Sequence, residues 1–116
     1  MPILTLMAAA AATTMQPGSV LEKDVRCVAA VALTGERAKK DDKDQSGMMM
    51  IMMFYIGKIE GEAPGFDLAK GLASVTATPN YETEAMPADL IRCAGEMEQQ
   101  GSKLETVGKA LSAEGG

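Results

Sequence analysis

The amino-acid sequence predicts an all-α protein, a single-domain bundle of about five helices with one disulfide between two of them. Three observations support this. Apolar residues recur at helical spacing along most of the chain. Two hydroxyl residues, Ser19 and Ser102, are each followed three positions later by a glutamate, which is typical of a helix start. The length of 116 residues suits one domain, and its two cysteines allow a single pairing.

Residues 1–15 have the pattern of a secretory signal peptide. Apolar residues lead into the alanine run Ala8–Ala12, and Pro17-Gly18 then signals a turn. No Lys or Arg precedes the apolar stretch, so the alternative is an alanine-rich helix that packs on the domain. The stretch is too short to cross a bilayer, which takes about 20 residues. We therefore expect a periplasmic or secreted protein with one helical domain over 16–116 and no stable membrane span; a cytoplasmic location is the alternative.

The first helix of the domain begins at a capping box, in which Ser19 and Glu22 can satisfy backbone amides reciprocally. We expect this helix to run to about Thr34 and to end at Gly35. Its apolar face comprises Leu21, Val25, Val28 and Ala32, flanked by Cys27 and Val31.

The segment 36–46 carries four basic and four acidic residues, whose charges cancel. Its acidic residues lack the alternating ligand spacing of a calcium-binding loop. We interpret the segment as a solvated connector, with an extension of the first helix by one turn as the alternative for its start.

Nine consecutive apolar residues lie between Gly47 and Gly57, and five of them are methionine. Methionine favours helices and the stretch has no strict alternation, so we predict a helix over Met48–Ile56, with a strand as the alternative. A segment that is apolar on every side has to be covered by the rest of the chain. The sequence therefore predicts that this helix lies at the centre of the bundle.

Three further helices complete the prediction. The first covers 66–75, with Asp67 near its start. The second begins near Pro87 and ends at Gly101. The third begins at Ser102 and presents an apolar face made of Leu104, Val107 and Leu111.

Cys27 and Cys93 each lie on or beside the apolar face of a predicted helix. An even cysteine count in a small exported chain suggests a disulfide, and closing a loop of this length stabilises a fold by roughly 4 kcal/mol on the chain-entropy argument. The alternative is two reduced, buried thiols. Each cysteine follows an arginine (Arg26 and Arg92), which we interpret as two amphipathic helices that share a buried cysteine.

The composition argues against several functional classes. The chain has no histidine and no phosphate-binding loop, so we predict no catalytic residue, no metal site, no cofactor and no enzyme activity. A net charge of −5 without a basic patch makes nucleic acid an unsuitable partner. The acidic residues Glu82, Glu84 and Asp89 are interpreted as the charge bias of a helix N-terminus.

The methionine stretch also provides the one candidate binding surface. Flexible thioether side chains form adaptable surfaces for apolar partners. Core packing is the structural alternative, and a small molecule or Cu(I) is the chemical one, although methionines spread around a helix do not converge on a metal. The candidate surface comprises Met48, Met49, Met50, Met52, Met53 and Phe54.

With Cys27 and Cys93 on helices of a small exported chain, the protein resembles the acid-stress periplasmic chaperones of the HdeA type. The resemblance covers the cysteine pair, the size and the helical content. It implies a bacterial envelope protein that forms a dimer, loosens at low pH and exposes apolar surface to unfolding client proteins.

Overall fold

The computed structural model of the protein describes residues 14–37 and 42–115. This part of the chain contains four α-helices and one π-helical turn, and no strand. The predicted signal segment lies outside the described residues except for Thr14 and Met15. The helices are α1 (Val20–Arg37), α2 (Asp42–Glu62), α3 (Leu68–Thr76) and α4 (Met86–Gly115), and the π-helical turn is Tyr81–Ala85.

The start of α1 confirms the capping box. The Glu22 amide donates to Ser19 Oγ at 3.1 Å, and the Gly18 amide donates to Glu22 Oε1 at 2.9 Å. Helix α1 continues past the predicted end at Gly35 to Arg37, which agrees with the alternative that the charged connector extends it. Gly35 instead allows a close approach of α2, since a Cβ built on it would lie only 3.3 Å from the Met48 sulfur.

The first helix, not the methionine stretch, forms the centre of the fold. It packs against α2, α3 and α4, and its middle is almost fully buried. Tyr55 and Ile59 of α2, Val75 of α3 and Cys93 of α4 close around it. The core members on α1 are Val25, Cys27, Val28, Ala29 and Ala30.

The methionine stretch is helical, as predicted, but α2 runs through Gly47 and Gly57 instead of ending at them. The prediction that the rest of the chain covers the stretch is wrong for three methionines. Met49, Met50 and Met53 are 63%, 71% and 68% exposed. The physical reason is that α2 lies at the outside of the bundle, so its neighbours cover only the side that carries Tyr55 and Ile59.

The short helix α3 confirms the prediction for 66–75. Asp67 is its N-cap, and its carboxylate accepts a hydrogen bond from the Lys70 amide at 3.0 Å. The chain then turns through Asn80, which adopts a left-handed conformation with φ of 59°. This turn directs the chain into the π-helical segment, where Tyr81 is buried.

The last two predicted helices form a single continuous helix in the structure. Helix α4 continues through Gly101 and Ser102 as a single helix of 30 residues, about 45 Å long at helical rise. Gly101 does not adopt the positive φ that ends a helix, which among the described glycines occurs only at Gly18 and Gly65. The second capping box is therefore inside a helix, and the predicted break is wrong.

The disulfide prediction is confirmed. Cys27 of α1 and Cys93 of α4 are bonded across 66 residues of sequence, with their Cα atoms 5.9 Å apart. Both residues are buried. The bond joins the central helix to the first half of α4.

We expect Gly101→Ala to increase the helical circular dichroism of the protein. A Cβ on Gly101 meets no atom within 4 Å, and alanine favours a helix interior over glycine by about 1 kcal/mol. Gly57→Ala, at an equally open position inside α2, is the matched control and should behave alike. A loss of helix signal in Gly101→Ala alone would show that the chain breaks at Gly101.

Candidate functional site

Four methionines of α2 line a groove between α1 and α2. Met48, Met49, Met52 and Met53 fall on one side of the helix because they are spaced by one, four and five residues. We call this the methionine groove; its volume is about 410 Å³. Its remaining lining residues are Val31, Ala32, Gly35, Glu36 and Ile56.

The structure places the six residues of the predicted apolar surface in four different surroundings. Met49 and Met53 are exposed members of the groove lining, and Met48 and Met52 are half-buried at its base. Met50 is exposed and is not part of the groove lining. Phe54 packs partly on the core and contacts the Tyr55 ring edge-on, with the ring centroids 5.0 Å apart.

A smaller cavity of about 140 Å³ lies next to the groove, beside the disulfide. It is where the first half of α4 packs against α1 and α2. Val31 and Met48 line both this cavity and the methionine groove. From α4 it is lined by Leu90, Cys93, Ala94 and Met97, and from the other helices also by Thr34 and Ile51.

The two arginines that precede the cysteines meet at one buried carboxylate. Arg26 Nε donates to Asp89 Oδ2 at 2.9 Å, and Arg92 Nη2 lies 3.4 Å from Asp89 Oδ1. Arg92 also donates to the backbone oxygen of Lys23 on α1, at 3.1 Å. The repeated Arg-Cys pair therefore has a structural reason: each helix contributes one half of a disulfide and one arginine to Asp89.

Asp89 is thus more than a helix N-terminal charge, contrary to the sequence interpretation. It is 5% exposed and joins α1 to α4. Glu82, from the same interpretation, pairs with Arg37 at the end of α1. The sequence signal that could have identified Asp89 is its position one helical turn before Arg92 on the face that carries Cys93.

A second buried carboxylate, Asp24, lies between α1 and α2. Its side chain is 2% exposed, and Lys58 Nζ donates to its Oδ1 at 3.1 Å. Its other oxygen, Oδ2, is buried without a hydrogen-bond partner. The neighbouring Glu62 carboxyl also contacts Lys58, and burial followed by the Asp24 carboxylate raises the pKa of Glu62.

Both tyrosines of the chain are buried and hydrogen-bonded. The Tyr55 hydroxyl donates to Glu96 Oε1 at 2.7 Å, and the Tyr81 hydroxyl lies 3.4 Å from the Arg26 carbonyl oxygen. Burial, then the hydrogen bond to Glu96, raises the pKa of Tyr55 well above its ordinary value. Burial, then the Asp89 charge, raises the pKa of Tyr81 to about 12.

None of the helices in the described part of the chain is both long and apolar enough to span a membrane. Over the same residues, no three His, Cys, Asp or Glu side chains are grouped closely enough to hold a metal ion. The described side chains offer apolar contact at the methionine groove and charge pairing at Asp24 and Asp89.

We expect the tyrosines to resist ionisation until the protein unfolds in alkali. A raised folded-state pKa stabilises the fold below the ordinary pKa of about 10, and this stabilisation is lost as the pH rises towards about 12 for Tyr81. With two tyrosines and no tryptophan, tyrosinate absorbance and circular dichroism should change together in an alkaline titration. Tyrosinate that forms near pH 10 with the helix signal intact would contradict the burial of both rings.

We expect Lys58→Met to lower the free energy of unfolding by about 3 kcal/mol at neutral pH, because it leaves the buried Asp24 carboxylate without its cation. The matched control is Lys109→Met, which removes an exposed pair with Glu105 and should change stability by about 0.5 kcal/mol or less. Urea unfolding measures both values. Equal stability of the two variants would show that the Asp24–Lys58 pair does not support the fold.

No protein-family model matches this chain, and neither a curated protein nor a solved structure matches it. The resemblance to the HdeA-type chaperones therefore stays a hypothesis that depends on the cysteine pair and the helical content.

Proposed function

We propose that this protein is a non-enzymatic bacterial envelope protein that binds apolar segments of client proteins in the methionine groove. The observation that carries the proposal is the lining of the groove: four methionines with Val31, Ala32 and Ile56, and two of these methionines more than 60% exposed. Exposed apolar side chains that converge on one concavity are typical of an interaction site.

Methionine is well suited to clients of varied shape. Its unbranched thioether side chain adopts many conformations, so one groove can accommodate different apolar side chains. A volume of about 410 Å³ lies within the range of ligand pockets, which is about 300–1,000 Å³. It has room for a few side chains presented by one segment of a client.

The disulfide supports an envelope location. Structural disulfides persist in oxidising compartments such as the periplasm and are rare in the cytosol. The Cys27–Cys93 bond is buried in the core, which is typical of a structural bond. The signal-peptide pattern of residues 1–15 is consistent with the same location.

Acid activation, which the resemblance to the HdeA type implies, has a physical basis in the charge pairs. Asp24 and Asp89 are buried and each pairs with a cation on another helix. These pairs join α1 to α2 and to α4, so a change of conditions that breaks them weakens both helix contacts. The loosened bundle would offer more apolar surface to clients.

The test compares the substitution of methionine by glutamate inside the groove and outside it. Met49→Glu/Met53→Glu places charges in the groove, whereas Met50→Glu places one at a methionine that is 71% exposed but outside the groove lining. We expect the groove variant to lose apolar-dye binding and suppression of client aggregation by about tenfold or more, since charges are costly to desolvate. Met50→Glu should retain both, and both should rise together on acidification.

Equal behaviour of the two variants would show that clients do not bind in the groove. If binding depends on the groove but is equally strong at neutral and acidic pH, the binding function is supported and acid activation is contradicted. Circular dichroism of each variant is the control for folding, since the substituted side chains of Met49, Met50 and Met53 are all exposed.

The presence of four thioether side chains in the lining of one groove favours a second candidate, Cu(I) or a small apolar molecule. Thioethers are soft ligands that select Cu(I), and four of them line the same groove. Competition with a Cu(I) chelator would test it. Binding that is lost in Met49→Glu/Met53→Glu and kept in Met50→Glu would support a soft-metal site, and no competition would remove it.

A further inference from the structure

The second half of α4 presents an apolar stripe without a partner in the described chain. We call residues 101–115 the tail and Leu104, Val107 and Leu111 the tail stripe. These three side chains are 73%, 54% and 64% exposed, and every residue from 101 to 113 is exposed. They recur at i, i+3 and i+7, which places them on one face of the helix.

The same pattern occurs once before on α4, fourteen residues earlier. Leu90, Cys93 and Met97 have the same spacing and form the face with which the helix packs on its own domain. They line the cavity shared with Val31, Met48 and Ile51 of α1 and α2. A helix face with this spacing therefore already fits the surface that these two helices form.

The methionine groove continues this surface on its other side. Val31 and Met48 belong to the lining of both concavities. From Met48 to Ile56 the groove follows about 12 Å of α2, and from Leu104 to Leu111 the tail stripe extends about 10 Å. The stripe and the groove thus match in length and in apolar character.

The tail does not fill the groove of its own chain. Because α4 is one unbroken helix from Met86 to Gly115, its second half extends away from the domain on which its first half packs. The tail of the same chain is therefore not the occupant, and a second copy supplies a complementary helix.

The charges also permit this contact. The tail carries two basic residues, Lys103 and Lys109, and two acidic ones, Glu105 and Glu114, so it is neutral in a chain of net charge −5. A neutral tail brings no additional like charge to a contact with a second copy of an acidic chain.

We propose that a second copy of this chain docks its tail stripe in the methionine groove, and that two copies exchange tails reciprocally. Each copy has one tail and one groove, so a two-fold exchange closes the pair. It also buries two contacts instead of one, and a stable interface buries roughly 800 Å² per partner. This inference rests on the proposed function insofar as it names a partner for the same groove.

The experiment is analytical ultracentrifugation of the full chain, with its disulfide intact, over a wide range of concentration. We expect a dimer. Leu104→Glu/Leu111→Glu should weaken it by about 30-fold or more, which is typical of losing a central anchor. The control Ile91→Glu changes an apolar residue of α4 that is 76% exposed and lies off the stripe, so the dimer should persist. All three substituted side chains are exposed, so the fold should be unaffected.

A mixing experiment tests the pairing of tail with groove. Leu104→Glu/Leu111→Glu keeps its groove, and Met49→Glu/Met53→Glu keeps its tail. Each should be monomeric alone, and a mixture should form a heterodimer through one remaining contact. A monomeric wild-type chain, a dimer that survives the tail substitutions, or a mixture that stays monomeric would each overturn the proposal.

These outcomes are distinguishable from failure of the client-binding function. If the chain never dimerises but binds an apolar dye in a way that depends on Met49 and Met53, the tail exchange is contradicted and the binding function of the groove is supported. If the two variants form a heterodimer only when mixed, and the protein does not protect clients, the tail exchange is supported and the client-binding function is contradicted.

Discussion

The crossing of α1 and α4 is the contact on which the rest of the fold depends. At this crossing the Cys27–Cys93 bond is flanked by Arg26 and Arg92, and both arginines bind Asp89. A covalent bond fixes the distance between the helices, and the directional hydrogen bonds around it fix their relative rotation. Asp89 tolerates burial because two cations compensate it. Once α4 is held in this way, Arg92 connects through Glu96 to the Tyr55 hydroxyl, so that α2 is placed by the same network.

The position of this crossing explains why two apolar surfaces stay exposed. Cys93 lies in the first third of α4, so the covalent and ionic contacts hold only that part of the helix, and the tail continues past the domain. The second helix contacts the core through Tyr55 and Ile59, so its methionine side is left open. Both surfaces follow from one cause, which is that a core centred on α1 is too small to cover three surrounding helices on every side.

The local parts of the fold could be predicted from the sequence because their signals are local. The capping box at Ser19, the Asp67 cap and the helical spacing of apolar residues each depend on neighbours within one turn, and all three are confirmed. The errors arose where a local signal meets a longer-range contact. Gly35, Gly57 and Gly101 resemble helix ends, but the packing and the neighbouring turns keep them helical. The crossing of the helices decides which side of the methionine helix is buried. It also decides that Asp89 binds both arginines. Residue spacing along one helix contains no information about how that helix crosses another.

The choice of methionine and leucine on the two exposed surfaces has a physical logic. A groove lined by leucine would have a fixed shape and would fit one partner well, whereas methionine can repack around a leucine stripe or around the side chains of a client. The tail, by contrast, presents branched residues on a helix, whose shape is already fixed before binding. A rigid tail stripe and an adaptable methionine groove in the same chain suit a groove that binds one constant partner, the tail of a second copy, and also varied clients. On this argument, substituting leucine for the groove methionines should favour the tail of a second copy over varied clients, because it removes adaptability while keeping apolar area.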